Sequence, residues 1–243
     1  MKIVVIIQAR MGSTRLPGKV MRDLGGDTVL ARVVQRVRRI GLIDHVVIAT
    51  TKDRRDDIIA NECQRLDVDC FRGEELNVLD RYYQAAQVAR ADAIVRITSD
   101  CPLIEPEVSE KIIQVFLDRK PDYVSNTLTR SYPRGLDTEI VTSEALCRAW
   151  REAKRDYQRV HVTPYIYENP ELFVIEQIVN ESDCSEYRWT LDTAEDLAFL
   201  RTVYERMGEF DQIYWRDLLE LLEREPELTE LNSHIRMKAL HEG

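Results

Sequence analysis

The sequence predicts an α/β fold in which helices cover both faces of a mostly parallel sheet. Short apolar runs without polar alternation recur along the first hundred residues, as expected for strands buried on both faces. Segments with apolar residues at i, i+3, i+4 and i+7 lie between these runs, which is the pattern of amphipathic helices. This alternation of strands and helices predicts a doubly wound sheet.

The four predicted central strands are continuous in Val, Ile and other apolar residues. They span residues 3–7, 45–50, 68–71 and 93–97. Helices are predicted between and after them from two sets of apolar residues at helical spacing, namely Leu30, Val33, Val34 and Val37, and then Val108, Ile112, Val115 and Phe116.

The pattern becomes less regular after about residue 120. Strands are predicted at 122–125 and 139–142, separated by the turn-rich segment "RSYPRG", and a helix is predicted to begin at Ser143. A strand pair at 172–178 and 187–191 precedes helices at 194–208 and 214–224. The chain contains no linker or repeat, so residues 1–243 are predicted to form one domain. Within it lie an irregular insertion at about 122–190, for the acceptor or for dimerisation, and a helical C-terminal segment at about 209–243.

Charge and cysteine content exclude several classes of protein. The net charge is −9, yet residues 1–40 carry nine Lys and Arg against two Asp and Glu, a net charge of +7. A local basic site for a small anion is therefore expected, and nucleic-acid binding is not. Five scattered cysteines argue against a disulfide framework or a zinc site. No apolar run has the length of a membrane helix, so we expect a cytoplasmic protein without membrane contact.

The opening segment "IIQARMGSTRLPGK" is similar to a phosphate-binding P-loop but departs from it. Five residues separate Gly12 from Gly18 where a P-loop has four, and Val20 follows the lysine where Ser or Thr would bind magnesium. A P-loop is therefore not predicted. The glycine-rich loop after a strand still suits a phosphate group, because it brings together three cations, Arg10, Arg15 and Lys19.

Two aspartates follow predicted strands at the edge where an open parallel sheet binds its ligands. Asp100 lies in "RITSDCPLI" and Asp192 lies in "WTLDTAEDL". Two carboxylates opposite a basic loop predict a Mg²⁺ site that faces a polyphosphate. The alternative is structural, because Asp before Pro102 is typical of a turn and Asp before a helix is typical of a cap. Thr193 and Asp196 have the spacing of a capping box.

Together with "YVSNT", "YPRGLDTEIV" and "HVTPYI", these motifs resemble the cytidylyltransferase family that includes spore-coat polysaccharide biosynthesis proteins. The family is related to the CMP-acylneuraminate and CMP-KDO synthetases, and the resemblance covers most of residues 1–208. It implies a Rossmann-like nucleotide-diphospho-sugar transferase fold. It also implies Mg²⁺-dependent transfer of CMP from CTP to a small acceptor, such as a sugar acid, with release of pyrophosphate. A homodimer is a further expectation from the resemblance.

The resemblance assigns roles to individual residues. Lys19, Arg10 and Asp100 are the implied catalytic residues, and Asp100 and Asp192 are the implied Mg²⁺ ligands. Contacts with the nucleotide are implied for a further set, namely Ala9, Gly12, Ser13, Arg15, Thr50, Arg72 and Gly73.

The acceptor side carries less specific signals. The resemblance places Asp137, Glu139 and His161 in the acceptor pocket. Asp137 and Glu139 alternate along a predicted strand and could instead lie on a solvated edge, and His161 could be a general base or a structural histidine. Two rival functions stay open from the sequence. These are a glycosyltransferase of the related nucleotide-sugar fold and a non-catalytic nucleotide-binding domain.

Overall fold

The computed structural model describes residues 1–208 and 212–236. Seven strands in this part of the chain form the main sheet, and two short ones form a hairpin. The strands are β1 (Ile3–Gln8), β2 (Asp23–Leu24), β3 (Asp27–Thr28), β4 (His45–Thr51), β5 (Asp69–Gly73), β6 (Ala93–Thr98), β7 (Tyr123–Ser125), β8 (Glu139–Thr142) and β9 (Ile175–Gln177). The main sheet has the order β5-β4-β1-β6-β8-β7-β9, and β2 pairs with β3.

The main sheet is mostly parallel, as predicted. Strand β1 pairs in parallel with β4 and β6, β4 pairs in parallel with β5, and β7 pairs in parallel with β9. Strand β8 is antiparallel to both of its neighbours, β6 and β7. It therefore begins at the edge where its neighbours end, and its first residue, Glu139, lies opposite Arg96 and Ser125.

Helices cover both faces of the sheet. They are α1 (Val29–Val37), α2 (Asp57–Arg65), α3 (Val78–Ala89), α4 (Pro106–Arg119), α5 (Ser143–Glu152), α6 (Asp156–His161), α7 (Pro164–Tyr167), α8 (Ala194–Met207), α9 (Trp215–Arg224) and α10 (Glu227–Glu230). Alternate side chains of β1 enter separate cores. Val5 packs with residues of α1, α4 and α8, whereas Val4 packs with residues of α3 and α5. The doubly wound arrangement is confirmed.

The C-terminal helices pack on the first of these cores. Leu218 and Leu222 of α9 and Leu228 of α10 are buried. The segment predicted at about 209–243 lies partly outside the described residues. No helix in the described part of the chain is long and apolar enough to cross a membrane.

The prediction of a strand at residues 187–191 is wrong. Only Arg188 pairs there, in a single parallel bridge with Arg134. The segment divides its hydrogen bonds between two neighbours, because the N–H of Trp189 donates to the Arg134 carbonyl (2.7 Å) while that of Leu191 donates to the Asp100 carbonyl (2.8 Å). A regular ladder with one partner strand is therefore not formed. The strand predicted at 172–178 is shorter in the structure, Ile175–Gln177.

Candidate active site

The glycine-rich loop after β1 is closed by its own backbone. The N–H of Gly18 donates to the Met11 carbonyl (3.1 Å), and Gly18 adopts a left-handed conformation at φ 67°, which glycine permits without strain. The N–H of Met11 donates to Asp56 Oδ1 (2.8 Å). A 3₁₀ turn at Lys19–Met21 follows, with Val20 buried in the core. This anchoring holds Lys19 at the edge where β1 and β6 end.

The two aspartates predicted from strand ends come together in the structure. Asp100 follows β6, and the hydroxyl of Thr98 donates to its Oδ1 (2.5 Å). Asp192 precedes Thr193, which caps α8 and forms the expected capping box with Asp196. The N–H of Leu191 donates to the carbonyl of Asp100 (2.8 Å), so the two motifs are in direct contact.

Lys19 links the two carboxylates. Its Nζ lies 2.6 Å from Asp100 Oδ2 and 2.9 Å from Asp192 Oδ1, and Arg15 Nη2 lies 2.9 Å from Asp192 Oδ2. Burial alone would lower the pKa of Lys19, but the attraction of Asp100 and Asp192 outweighs it and the pKa is raised. Burial alone would raise the pKa of Asp100, but Lys19 outweighs it and the pKa is lowered. Both groups are therefore charged at neutral pH.

These groups lie in a cleft of about 750 Å³. Its lining includes the loop after β1 and segments around β8 and α6. It brings together most of the residues predicted from the sequence, namely Ala9, Arg10, Gly12, Ser13, Arg15, Lys19, Asp100, Asp137, Glu139, His161 and Asp192. A cleft of this size is typical of a small-molecule site.

Asp137 and Glu139 reach the cleft because β8 is antiparallel and begins at this edge. Arg130 donates two hydrogen bonds to Asp137, of 2.5 and 2.9 Å. Glu139 is 4% exposed and accepts hydrogen bonds from Arg96, Tyr123 and Thr163. The alternative of a solvated edge is therefore wrong for Glu139, which lies on an interior strand.

Thr50, Arg72 and Gly73 lie at the ends of β4 and β5 but do not line the cleft. Thr50 is fully buried. The guanidinium of Arg72 is held by the carbonyl of Thr51 (2.8 Å) and by Asp57 (2.7 Å). The structure does not bring these residues to the other site residues, and their role in nucleotide binding stays a prediction.

Five arginines near the cleft were not singled out from the sequence. Four of them line it, namely Arg81, Arg96, Arg130 and Arg134, and Arg188 donates to Asp192 Oδ2 (3.0 Å) from behind. Arg96 had a signal, because it is the one charged residue in the apolar strand "AIVRIT". Arg188 had no such signal, because Asp192 and Asp196 lie four and eight residues further on, and this spacing predicts a contact only within a helix.

The two carboxylates on Lys19 are hard oxygen ligands that suit a divalent cation. No cluster of three or more His, Cys, Asp or Glu side chains that could hold a metal occurs within residues 1–208 and 212–236. A metal at Asp100 and Asp192 would therefore take its other ligands from a substrate and water. That ligand set fits Mg²⁺, which is usually bound by one or two carboxylates together with substrate phosphates.

Comparisons with known proteins identify the relatives of this chain. The family model described as cytidylyltransferase matches residues 4–236. The spore coat polysaccharide biosynthesis protein SpsF of Bacillus subtilis (strain 168) is 36% identical over 232 residues, which cover 93% of this chain and 95% of SpsF. A cytidylyltransferase structure from Leptospira borgpetersenii serovar Hardjo-bovis (strain JB197) has a TM-score of 0.91 and 33% identity, and the match covers 98% of this chain and 100% of that one.

A more distant solved structure shares the fold. CMP:2-keto-3-deoxy-manno-octonic acid synthetase, in a structure complexed with CTP, has a TM-score of 0.64 at 18% identity, over 85% of this chain and 100% of that one. The predicted Rossmann-like fold is confirmed by these neighbours. The match to the family model extends over nearly the whole chain. The chain therefore belongs to the cytidylyltransferase family of enzymes.

Proposed function

We propose that this enzyme transfers CMP from CTP to a small acceptor, in the presence of Mg²⁺, and releases pyrophosphate. The observation that carries the proposal is the contact of one ammonium, Lys19 Nζ, with both Asp100 and Asp192 in a cleft whose loop also supplies Arg10 and Arg15. The relatives support the choice of nucleotide, since the family model that matches residues 4–236 is described as cytidylyltransferase, and so is the structure from Leptospira borgpetersenii at 33% identity.

The loop after β1 would bind the triphosphate. The side chain of Arg10 is 43% exposed and that of Arg15 is 28% exposed, so both guanidinium groups can reach a ligand in the cleft. Transfers at phosphorus require little covalent help from the protein, and the main need is positioning and neutralisation of charge. The cations of this loop would balance the negative charge that grows on the leaving pyrophosphate.

Asp100 and Asp192 would hold Mg²⁺, which when bound polarises phosphate oxygens. Thr98 fixes Asp100 by its hydrogen bond to Oδ1, so the orientation of this carboxylate is set by β6 itself. Lys19 balances one of the two carboxylate charges, and Arg15 pairs with Asp192 beside it.

The acceptor would bind beside the segments around β8 and α6, and its oxygen would attack the α-phosphorus in line with the departing pyrophosphate. These segments line the cleft with Arg130, Arg134 and His161 together with Asp137 and Glu139. Arginines suit the carboxylate of a sugar acid or a related polysaccharide precursor, because their planar donors pair with such groups. The homodimer expected from the resemblance stays a prediction, which sedimentation velocity would test.

The first test is thermal unfolding with each of the four nucleoside triphosphates, with and without Mg²⁺. A ligand that binds only the native state raises the melting temperature. We expect a Mg²⁺-dependent rise that is largest with CTP, followed by pyrophosphate release in a screen of acceptors. No rise with any triphosphate, but a rise with a nucleotide sugar, would contradict the proposal and favour a glycosyltransferase. A rise with CTP but no pyrophosphate release with any acceptor would favour a non-catalytic nucleotide-binding domain.

A further inference from the structure

A buried ion-pair network lies directly behind Asp192. Arg188 is 6% exposed and Asp196 is fully buried. Arg188 Nε lies 2.8 Å from Asp196 Oδ1, and its Nη2 lies 2.8 Å from Asp196 Oδ2 and 3.0 Å from Asp192 Oδ2. One guanidinium therefore connects a fully buried carboxylate to a carboxylate of the cleft.

Asp196 also holds the main chain of Asp192. Its Oδ2 accepts hydrogen bonds from the N–H groups of Asp192 and Thr193, both at 2.9 Å. Asp192 is thus held through its backbone by Asp196 and through its side-chain Oδ2 by two guanidinium groups, Arg188 from behind (3.0 Å) and Arg15 of the loop after β1 (2.9 Å). The remaining oxygen, Oδ1, lies against Lys19.

The C-terminal segment completes the network. Asn232 lies in the turn after α10 and is 2% exposed. Its Nδ2 donates to the carbonyl of Arg188 (2.8 Å) and to Asp196 Oδ1 (3.0 Å). The amide therefore holds both members of the buried pair, and it connects the last helices of the described chain to the active site.

We propose that Arg188 and Asp196 are positioning residues that orient Asp192 toward Asp100, and that Asn232 holds this pair in place. The inference rests on the proposed function, because it assigns a role within that site. Arg15 and Lys19 reach Asp192 from the cleft, whereas Arg188 and Asp196 are buried and hold one side-chain oxygen and the backbone N–H, so they keep the direction of the other oxygen fixed. Residues that orient metal ligands in this way typically change metal affinity or activity by 10- to 100-fold when they are mutated.

The test compares Arg188→Lys with the wild-type protein. Lysine keeps the positive charge but cannot form the forked pair with Asp196 while it also donates to Asp192. We would titrate Mg²⁺ at fixed CTP and record the Mg²⁺ concentration that gives half of the CTP-dependent rise in melting temperature. We expect Arg188→Lys to raise this concentration about 10-fold. Asn232→Ala should shift it in the same direction by a smaller factor.

The matched control is Arg36→Lys. Arg36 is as deeply buried, at 1% exposure, and it donates to the carbonyl of Ile104 (2.6 Å) and pairs with Glu105 (3.4 Å), away from the cleft. This variant should lower the melting temperature without ligand and leave the Mg²⁺ requirement unchanged. A purely structural role for Arg188 would make the two lysine variants behave alike.

The outcomes distinguish a failure of the proposed function from a failure of the positioning role. If the wild-type protein shows no Mg²⁺-dependent stabilisation by CTP, the proposed function fails and this inference fails with it. Two results would overturn only the positioning role, in each case with a wild-type protein that CTP and Mg²⁺ stabilise. In the first, Arg188→Lys and Asn232→Ala need the same Mg²⁺ concentration as the wild-type protein. In the second, Arg36→Lys raises the required Mg²⁺ concentration as much as Arg188→Lys does. If Arg188→Lys does not fold, the milder Asn232→Ala variant decides.

Discussion

At the scale of single residues, Asp100 is the carboxylate whose loss should affect the reaction most. It contacts Lys19 through one oxygen and Thr98 through the other. Asp100→Asn keeps the size of the side chain but removes the negative charge. It should therefore weaken both the binding of Mg²⁺ and the ion pair with Lys19. We expect turnover to fall at least about 10²-fold, the usual cost of one lost group that stabilises charge in the transition state. Pyrophosphate release with the identified acceptor measures it.

Asp118→Asn is the control for this change. Asp118 is an exposed residue of α4 that accepts a hydrogen bond from Gln114 (2.9 Å), so the same substitution there should leave turnover unchanged. Circular dichroism shows whether each variant is folded. A folded Asp100→Asn enzyme with near wild-type turnover would remove Asp100 from the proposed mechanism.

Gly135 is the glycine whose replacement should be least tolerated. It has φ 108°, and a Cβ there would lie 2.7 Å from the backbone C and O atoms of Trp189. Gly135→Ala should push away the segment that carries Arg188 and Asp192. Gly26→Ala is the matched variant, because Gly26 also has a positive φ, 85°, but a Cβ there would meet no atom within 4 Å. Denaturant unfolding should show Gly135→Ala to be about 2 kcal/mol more destabilising than Gly26→Ala. Equal losses would contradict the close contact.

At the scale of elements, a buried ion pair connects three helices. Glu105 precedes the first residue of α4, Arg36 lies on α1, and the N–H of Trp215 at the start of α9 donates to Glu105 Oε2 (3.0 Å). Glu105 and Arg36 are each 1% exposed. Such a pair is costly to bury, and its hydrogen bonds to backbone groups of separate elements fix how the helices meet.

This pair predicts a pH dependence of stability. Burial raises the pKa of Glu105 above its ordinary value of 4.5, although Arg36 opposes the shift. Above pH 4.5 the folded protein therefore binds more protons at this group than the unfolded chain, and its contribution to the free energy of unfolding falls as pH rises. Glu105→Gln should remove this fall in the free energy of unfolding, because glutamine does not ionise. Its amide oxygen can still accept the hydrogen bond from Trp215.

The measurement is the free energy of unfolding of both proteins between pH 4.5 and 7. The difference between Glu105→Gln and wild type should shift in favour of the variant as pH rises. Glu220→Gln, at an exposed position of α9, should show no such trend. A difference that is constant with pH would mean that Glu105 is ionised equally in both states.

The elements that the sequence predicted well are those whose pattern is local. Strands β1, β4 and β6 are mostly apolar on successive residues, and α8 begins at a capping box whose two members, Thr193 and Asp196, are three positions apart. Residues 187–191 include aromatic and β-branched residues that favour strands, but their partners, Arg134 and Asp100, are distant in sequence. Strand propensity alone cannot show that a segment must serve two partners.

At the scale of the whole molecule, the sheet topology determines how much of the cleft could be predicted. Parallel strands end at one edge, so Lys19 and Asp100 could be grouped from the sequence before their contact was known. Asp192 was added to them through a strand that the structure does not form, and it reaches the site because the N–H of Leu191 donates to the carbonyl of Asp100. Arg188 and Asn232 could not be grouped from the sequence, because the hydrogen bond between them joins residues 44 positions apart and depends on the packing of α8 and α10. Thr50 and Arg72 lie at strand ends of the same sheet, yet the cleft does not extend to them.

The charge of the whole molecule opposes the charge of its cleft. The chain carries −9 overall, whereas the loop of the cleft supplies Arg10, Arg15 and Lys19. The net negative charge of the protein repels an anionic nucleotide at long range, whereas these three cations attract it. Salt screens both interactions. Contacts at hydrogen-bond distance are stronger than the diffuse field, so we expect the local attraction to dominate.

The salt dependence of CTP binding tests which charge dominates. Isothermal titration calorimetry with Mg²⁺ and CTP should show the dissociation constant rising several-fold as NaCl increases from about 0.05 to about 0.5 M, because the Debye length shortens well below about 10 Å over this range. Cytidine carries no phosphate, so any binding that it shows should be nearly independent of salt. If CTP instead binds more tightly at high salt, the negative field of the whole molecule outweighs the loop, and the role of Arg10, Arg15 and Lys19 as the triphosphate site is contradicted.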